Sequence, residues 1–385
     1  MTVLGMWALI LLGFAAACGL GKRLGLIPVV SQLLLAALAL PLLNLLLSQP
    51  ASSLDTAELL SPGWVKTLYG ASFALLLGAI LADVRELRPD REALKLALPS
   101  FGVPFACGLA CAVWLLHIQG IAALALGLVF AITAIPVLHL YLRAIDYPPA
   151  ASRRLLQAAI VIDLACWLLL GLGQGSLHPA SLGWTLVAAL APLPLYALGL
   201  RAPAAYGGIF LALLFAAEHY RLNALLLGIG FLACLALLQL NLRLPLSARW
   251  SQGLQQYLAV PLILACGVLQ VDVQQALQTF EPLHLIALVA LPIFSKLLGN
   301  WLGLCWAAPS FAGASKWRES LLLNIRGLSE IVFLNLLLSQ QLISASLYLT
   351  LMLMSLVATL MPALAGLHRL PLNPLPTARR PHAEH

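Results

Sequence analysis

The chain has 385 residues, of which 62% are hydrophobic and only 9% charged, and its mean hydropathy is +0.98. Soluble domains carry about a quarter charged residues, so these proportions exclude water as the main solvent and leave no stretch for a separate soluble domain. The net charge of +7 is dispersed over short loops rather than gathered in a patch, which argues against nucleic acid as a partner and for the charge asymmetry that orients membrane proteins.

Taken in order, the apolar runs that can cross a hydrocarbon core of ~30 Å predict thirteen helical spans, at 3–20, 27–47, 66–83, 94–117, 119–142, 151–173, 182–200, 203–219, 221–240, 255–270, 282–308, 318–340 and 344–366. The fold expected is an all-α polytopic membrane protein. Residues 1–368 form one transmembrane domain, and 369–385 a short proline-rich cytoplasmic tail without apolar periodicity, which reads as disordered. The first run ends at Phe14-Ala-Ala-Ala-Cys18, with Lys22 and Arg23 after it and no basic residue before it. That order suits a retained span rather than a cleaved signal. Loops after odd-numbered spans, with the tail, hold seventeen of the 21 Lys and Arg residues, against Lys66 and Arg221 on the other side. The positive-inside rule then places the N-terminus outside and the C-terminus in the cytoplasm. Minimal tails and the lack of a eukaryotic targeting signal suit a bacterial inner membrane.

Seven cysteines all fall in apolar runs without a C-x-x-C pair, the pattern of small polarisable core residues rather than of a metal site. No glycine-rich nucleotide fingerprint follows a strand, and no cofactor is expected. Histidines 117, 139, 178, 219 and 284 occur singly, mostly at span ends; His139, three residues beyond Pro136, is the one nearest a feature of interest. With no H-E-x-x-H and no paired intramembrane aspartates, enzyme chemistry is not expected.

Four ionisable residues lie well inside spans: Asp163, Lys296, Arg326 and Glu330. Each charge at such depth costs roughly 2.5–3.5 kcal/mol, so each needs a partner or a task. Arg326 and Glu330 are four apart on one helical face and can pair as structural glue. Asp163 stands among Ala158-Ala-Ile-Val-Ile162 and Leu164-Ala-Cys-Trp167, surroundings that favour a functional carboxylate. Two spans also carry breaks. In Ile132-Thr133-Ala134-Ile135-Pro136, the proline removes a backbone hydrogen bond and frees carbonyls of the preceding turn. In Asn324-Ile-Arg326-Gly327-Leu-Ser-Glu330, a glycine sits among polar side chains. These are the fifth and twelfth spans, so they run in opposite directions. Interrupted helices in corresponding positions of inverted halves mark a transporter's midplane site, where freed carbonyls and a hydroxyl such as that of Thr133 can ligand a cation.

The stretches Ile132 to Leu138, Ala158 to Trp167 and Asn324 to Asn335 resemble the monovalent cation/proton antiporter-2 family, the last being especially similar to its plant cation/proton exchanger branch. Further matches in the family's order are Gly25 to Pro28, Leu81-Ala-Asp83-Val-Arg-Glu-Leu87, the region from Glu218 to Gly228, and Phe294-Ser-Lys296-Leu-Leu-Gly299. The resemblance implies a core of six helices crossing at two unwound segments, packed on a dimerisation panel, and hence a homodimer. It implies a cation-binding carboxylate at Asp163, a helix-breaking motif from Thr133 through Ala134 to Pro136, a second break at Asn324 and Gly327, and Lys296 as the basic residue beside the carboxylate. The family usually has Asp-Asp or Asn-Asp where this chain has Ile162-Asp163.

The function expected is exchange of a monovalent cation, Na⁺ or K⁺, for H⁺ across the lipid bilayer, both competing for Asp163. One carboxylate implies one proton per cation and no net charge moved. The rival readings are a sodium-coupled organic anion transporter of the same fold and a degenerate homologue that has lost transport, the latter raised by Ile162.

Overall fold

The computed structural model describes residues 2–23, 28–47, 56–86, 90–177, 179–220, 222, 224–245, 248–271, 273–274, 282–307 and 313–365. The tail expected at 369–385 lies outside them. The first helix is α1 (Val3–Arg23). Next, α2 runs from Pro28–Leu34 through a π-helical turn, Leu35–Ala39, into Leu40–Leu47. The short α3 (Thr56–Leu60) leads to α4 (Gly63–Glu86), and α5 (Arg91–Ala110) ends in a second π-helical turn, Cys111–Leu115. Then follow α6 (Gly120–Ala131), α7 (Ile135–Ala144), α8 (Pro149–Leu177), α9 (Pro179–Ala189) and α10 (Pro192–Ala197). The remainder is α11 (Pro203–His219), α12 (Ala224–Leu237), and α13 (Ala248–Leu254, π-helical Gln255–Ala259, Val260–Leu269). Last come α14 (Pro282–Ala307), α15 (Gly313–Leu323), α16 (Leu328–Ser339) and α17 (Ala345–Leu364).

Local chemistry explains many of these boundaries. Pro28, Pro149, Pro179, Pro192, Pro203 and Pro282 each open a helix, where the missing N–H is one that no carbonyl would have met. Asp90 caps α5 by accepting from the Ala93 amide at 2.7 Å. Among the described residues, seven helices are long and apolar enough to cross a membrane, with five shorter apolar helices beside them. Large apolar side chains remain exposed along them, such as Leu4, Leu9 and Leu12 on α1 and Trp184 and Val187 on α9. A surface of this kind needs lipid rather than water against it.

The helices sort into two packed groups. In the first, α5 lies along α14, and around this pair gather α6, α8, α15 and α17. The second joins α1, α2, α4, α11, α12 and α13. Glycine makes the α5–α14 contact close. A Cβ at Gly299 would stand 2.5 Å from the Pro99 carbonyl oxygen, and one at Gly303 2.6 Å from that of Leu96. Glycines four apart let two backbones approach in the way small-residue motifs do in membrane helices.

The basic loops meet one another. Lys22, at the end of α1, donates to the Tyr257 hydroxyl of α13 at 3.3 Å. Arg154 reaches Glu92 at 3.9 Å and Glu319 at 2.7 Å, and the Arg243 amide donates to the Pro203 carbonyl at 3.0 Å. Each of these bonds ties a segment that carries basic residues to another part of the chain. Gly299→Val or Gly303→Val drives a branched side chain into a backbone carbonyl. Such overpacking costs about 1–3 kcal/mol, so each variant should unfold several degrees below the parent in detergent, whereas Gly102→Val, where a Cβ meets open space, should not.

Candidate functional site

The two expected breaks are present and touch. The first lies between α6 and α7, at residues 132–134, and the second between α15 and α16, at 324–327. They are joined backbone to backbone, the Ala134 amide donating to the Ile325 carbonyl at 3.2 Å. Pro136 sits in the first turn of α7, so it opens the second half-helix rather than kinking a continuous one. It also denies the Ile132 carbonyl its helical donor.

A break in a helix frees N–H and C=O groups that must be satisfied where water is scarce. The accounting at the first break is nearly complete. On its carboxyl side the carbonyls of Val129 and Phe130 accept from the Arg326 guanidinium, the latter at 2.7 Å. The Ala131 carbonyl accepts from the Lys296 ammonium. Two basic side chains therefore stand on the last turn of α6, the negative end of its dipole. Lys296 also donates to the Ser100 carbonyl at 3.2 Å. That carbonyl is open because its helical donor would be residue 104, a proline inside α5.

On the amino side of the same break stands Asp163. It is the fifteenth of the 29 residues of α8, hence at mid-helix, and it is fully buried. Its carboxylate accepts from the Thr133 amide at 3.0 Å, just before the N-terminus of α7, where the dipole favours negative charge. Thr133 and Ala134 are likewise fully buried.

The second break has its own carboxylate in the equivalent place. Glu330 lies in the first turn of α16 and forms an ion pair with Arg326 at 3.0 Å, both side chains being fully buried. Its other oxygen accepts from the Ser355 hydroxyl at 2.6 Å. Thr359, one turn further along α17, donates to the Arg326 carbonyl at 2.7 Å. Gly327 is needed for close approach: a Cβ there would come 2.7 Å from a methyl of Val137 on α7. Asn324, at the end of α15, is fully buried and donates to the Met361 sulfur at 3.9 Å.

The structure thus brings together Asp163, Thr133, Ala134, Pro136, Lys296, Arg326, Glu330, Asn324 and Gly327 around one crossing. Lys296, expected beside the carboxylate, has its ammonium on the Ala131 carbonyl, two residues from the amide that holds Asp163. Ile162 is fully buried in the apolar core. His139 is exposed and lies off the site.

Sequence reasoning missed several polar residues. Arg154 of α8 and Glu319 of α15 form a buried ion pair in which Arg154 Nη2 donates to both carboxylate oxygens, at 3.0 and 2.7 Å, joined by the Tyr147 hydroxyl at 3.4 Å. Arg154 falls among the seventeen loop-side basic residues, and Glu319, like it, stands at the start of an apolar run, where a charge is ordinary. Asn335 accepts from the Tyr348 hydroxyl at 2.7 Å and donates to the Ile263 carbonyl at 2.8 Å, tying α16 to α17 and α13. The i, i+4 spacing of Ser355 and Thr359 was the available signal for a polar stripe on α17.

Comparison with known proteins places the fold. A sequence model described as the transmembrane region of sodium/hydrogen exchangers matches residues 8–245. Among solved structures, the chain is similar to the sodium proton antiporter MjNhaP1 from Methanocaldococcus jannaschii at pH 8. The TM-score is 0.57 at 15% identity, covering 95% of this chain and 97% of that one. No curated protein matches it by sequence.

Arg154→Met leaves the Glu319 carboxylate buried without its cation. Breaking such a pair from one side costs about 3–5 kcal/mol, whereas replacing both partners by apolar residues is often neutral. Thermal unfolding in detergent should therefore show a marked loss for Arg154→Met and recovery when Glu319→Leu is added.

Proposed function

The chain belongs to the sodium/hydrogen exchanger family, and on that premise we propose that it exchanges a monovalent cation, Na⁺ or K⁺, for H⁺ by competition at Asp163. It is a transporter and not an enzyme, and its substrates are cations and protons. The observation that carries the assignment is the position of Asp163: a fully buried carboxylate at the middle of a long helix, held by an amide of the broken helix it faces.

Exchange needs a group that takes a proton or a cation but not both together. A carboxylate in a desolvated cavity does so, because either ligand removes the cost of its bare charge. Neutral oxygens would complete the shell of a bound cation, the Thr133 hydroxyl and the Ile132 carbonyl that Pro136 leaves without a helical donor being the nearest in sequence. Glu330 serves a different task in this reading. With Arg326 and Ser355 on its two oxygens, it is a fixed anion that keeps the second break together.

Charge balance supports electroneutral exchange. Asp163 and Glu330 offset Lys296 and Arg326, so the empty crossing sums to zero. Binding either H⁺ or a monovalent cation at Asp163 makes it +1, and each half-cycle moves the same charge. Alternating access follows as a sliding of the α5–α8 and α14–α17 group against the other, permitted only when Asp163 is neutralised. The alternation of Lys and Arg along the chain supports a cytoplasmic assignment for the loops that carry them, with the N-terminus outside, the C-terminus inside, and a homodimer in a bacterial inner membrane.

In acid-loaded everted vesicles, addition of the right salt should alkalinise the lumen, and Asp163→Asn should reduce this to background while the purified protein keeps its unfolding temperature. Retained exchange would remove Asp163 from the mechanism. A second measurement tests the charge balance. One net charge moved across 100 mV is worth about 2.3 kcal/mol, so an electrogenic exchanger would shift its equilibrium more than tenfold. An unchanged equilibrium under clamped potential is the outcome expected here.

A further inference from the structure

The two broken helices end differently. At the carboxyl end of α6, consecutive carbonyls are covered by two basic side chains, Arg326 and Lys296. The carboxyl end of α15 carries the same negative dipole, but the side chains described there are amides. The Asn300 side chain of α14 donates to the Ser320 carbonyl at 3.0 Å, and the backbone N–H of Asn324 donates to the same carbonyl at 3.2 Å, while the Asn324 side-chain nitrogen points to the Met361 sulfur. The Asn300 side chain and the Asn324 backbone therefore meet at one atom. Both are fully buried, and the side-chain oxygens of both, Asn300 Oδ1 and Asn324 Oδ1, lack a hydrogen-bond donor. The Asn300 amide cannot be turned to relieve this, because its oxygen would then face the Ser320 carbonyl oxygen.

Buried polar atoms without partners are uncommon and costly. Here the unsatisfied atoms are of one kind, oxygens that only accept, and they lie at the negative end of a half-helix. That combination suits a small cation. Its place also has meaning for transport. Asn300 is one helical turn from Lys296, about 6 Å along α14. Ser320 follows Glu319, which is bound to Arg154, on the side of the basic loops. The cluster thus lies between that face and the crossing where Asp163 stands.

We infer that a monovalent cation binds at the carboxyl end of α15, between Asn300 Oδ1 and Asn324 Oδ1, before it reaches Asp163 from the basic-loop face. At this point it exchanges water for amide oxygens and completes at α15 what Arg326 and Lys296 complete at α6. The cation's identity as a transported ion rests on the function proposed above; the site itself rests on the amide geometry. Asn300 acts on cation affinity and has no part in proton binding.

The test is a pair of substitutions at Asn300 read by exchange and by binding. Asn300→Leu removes one ligand of about 1 kcal/mol, so the apparent KM for the cation should rise about fivefold. Maximal rate and the pH of half-maximal activity should hold. Asn300→Gln keeps both an amide donor and an acceptor oxygen, so its KM should stay closer to the parent's, and it serves as a folded control should the leucine variant express poorly. Radioactive Na⁺ or Rb⁺ should still bind to purified Asp163→Asn protein, and that binding should be lost when Asn300→Leu is added. An unchanged cation KM in Asn300→Leu, or no Asn300-dependent binding in Asp163→Asn, overturns the site and leaves water or plain packing as the occupant. Exchange retained in Asp163→Asn would overturn the function assigned to Asp163 instead, and the site would then stand or fall on the KM shifts alone.

Discussion

Where two helices break inside a bilayer, every backbone group they free must find a partner other than water. That requirement organises this molecule. The Val129, Phe130 and Ala131 carbonyls are met by Arg326 and Lys296. The Thr133 amide is met by Asp163, and the Ala134 amide by the Ile325 carbonyl of the other break. The intramembrane charges therefore cap backbone ends first and face one another second. This explains why Lys296 stands at a helix carboxyl end and Asp163 at a helix amino end, each where the local dipole favours its sign.

Placing charges this way also separates the two carboxylates by task. Glu330 is tied by Arg326, four residues before it, and by Ser355 on α17, bonds that brace the crossing from outside. Asp163 is attached to the unwound segment itself. In the function proposed above, a ligand arriving at Asp163 would act directly on one of the two unwound segments, and so couple proton or cation binding to a movement of the helical group.

The surrounding scaffold keeps this geometry. Close contact of α5 with α14 through Gly299 and Gly303 brings the Ser100 carbonyl within reach of Lys296. Pro104 contributes by leaving that carbonyl open. Further toward the basic-loop face, the Arg154–Glu319 pair fastens the carboxylate helix to the half-helix α15. The group of helices around the site is thus linked at the crossing and again near the Arg154–Glu319 pair.

Composition, apolar run length and the alternation of Lys and Arg determined by themselves that this is a helical membrane protein with a few deliberate internal charges. Those signals are local or summed along the chain, and so need no knowledge of neighbours. Pro136, Gly327 and the isolated Asp163 were legible for the same reason: a breaker or a charge inside an apolar run is anomalous on its own. What only the tertiary structure decided is which groups those charges meet. Lys296 and Ala131 are 165 residues apart, as are Arg154 and Glu319, and no periodicity encodes such a pairing. Arg154 and Glu319 stood at span ends, where charge is ordinary. Asn300 and Asn324 looked like neutral helix residues until folding buried their side-chain oxygens without hydrogen-bond donors. A hydrogen bond is fixed by distance and direction in space, and those exist only after the helices have packed.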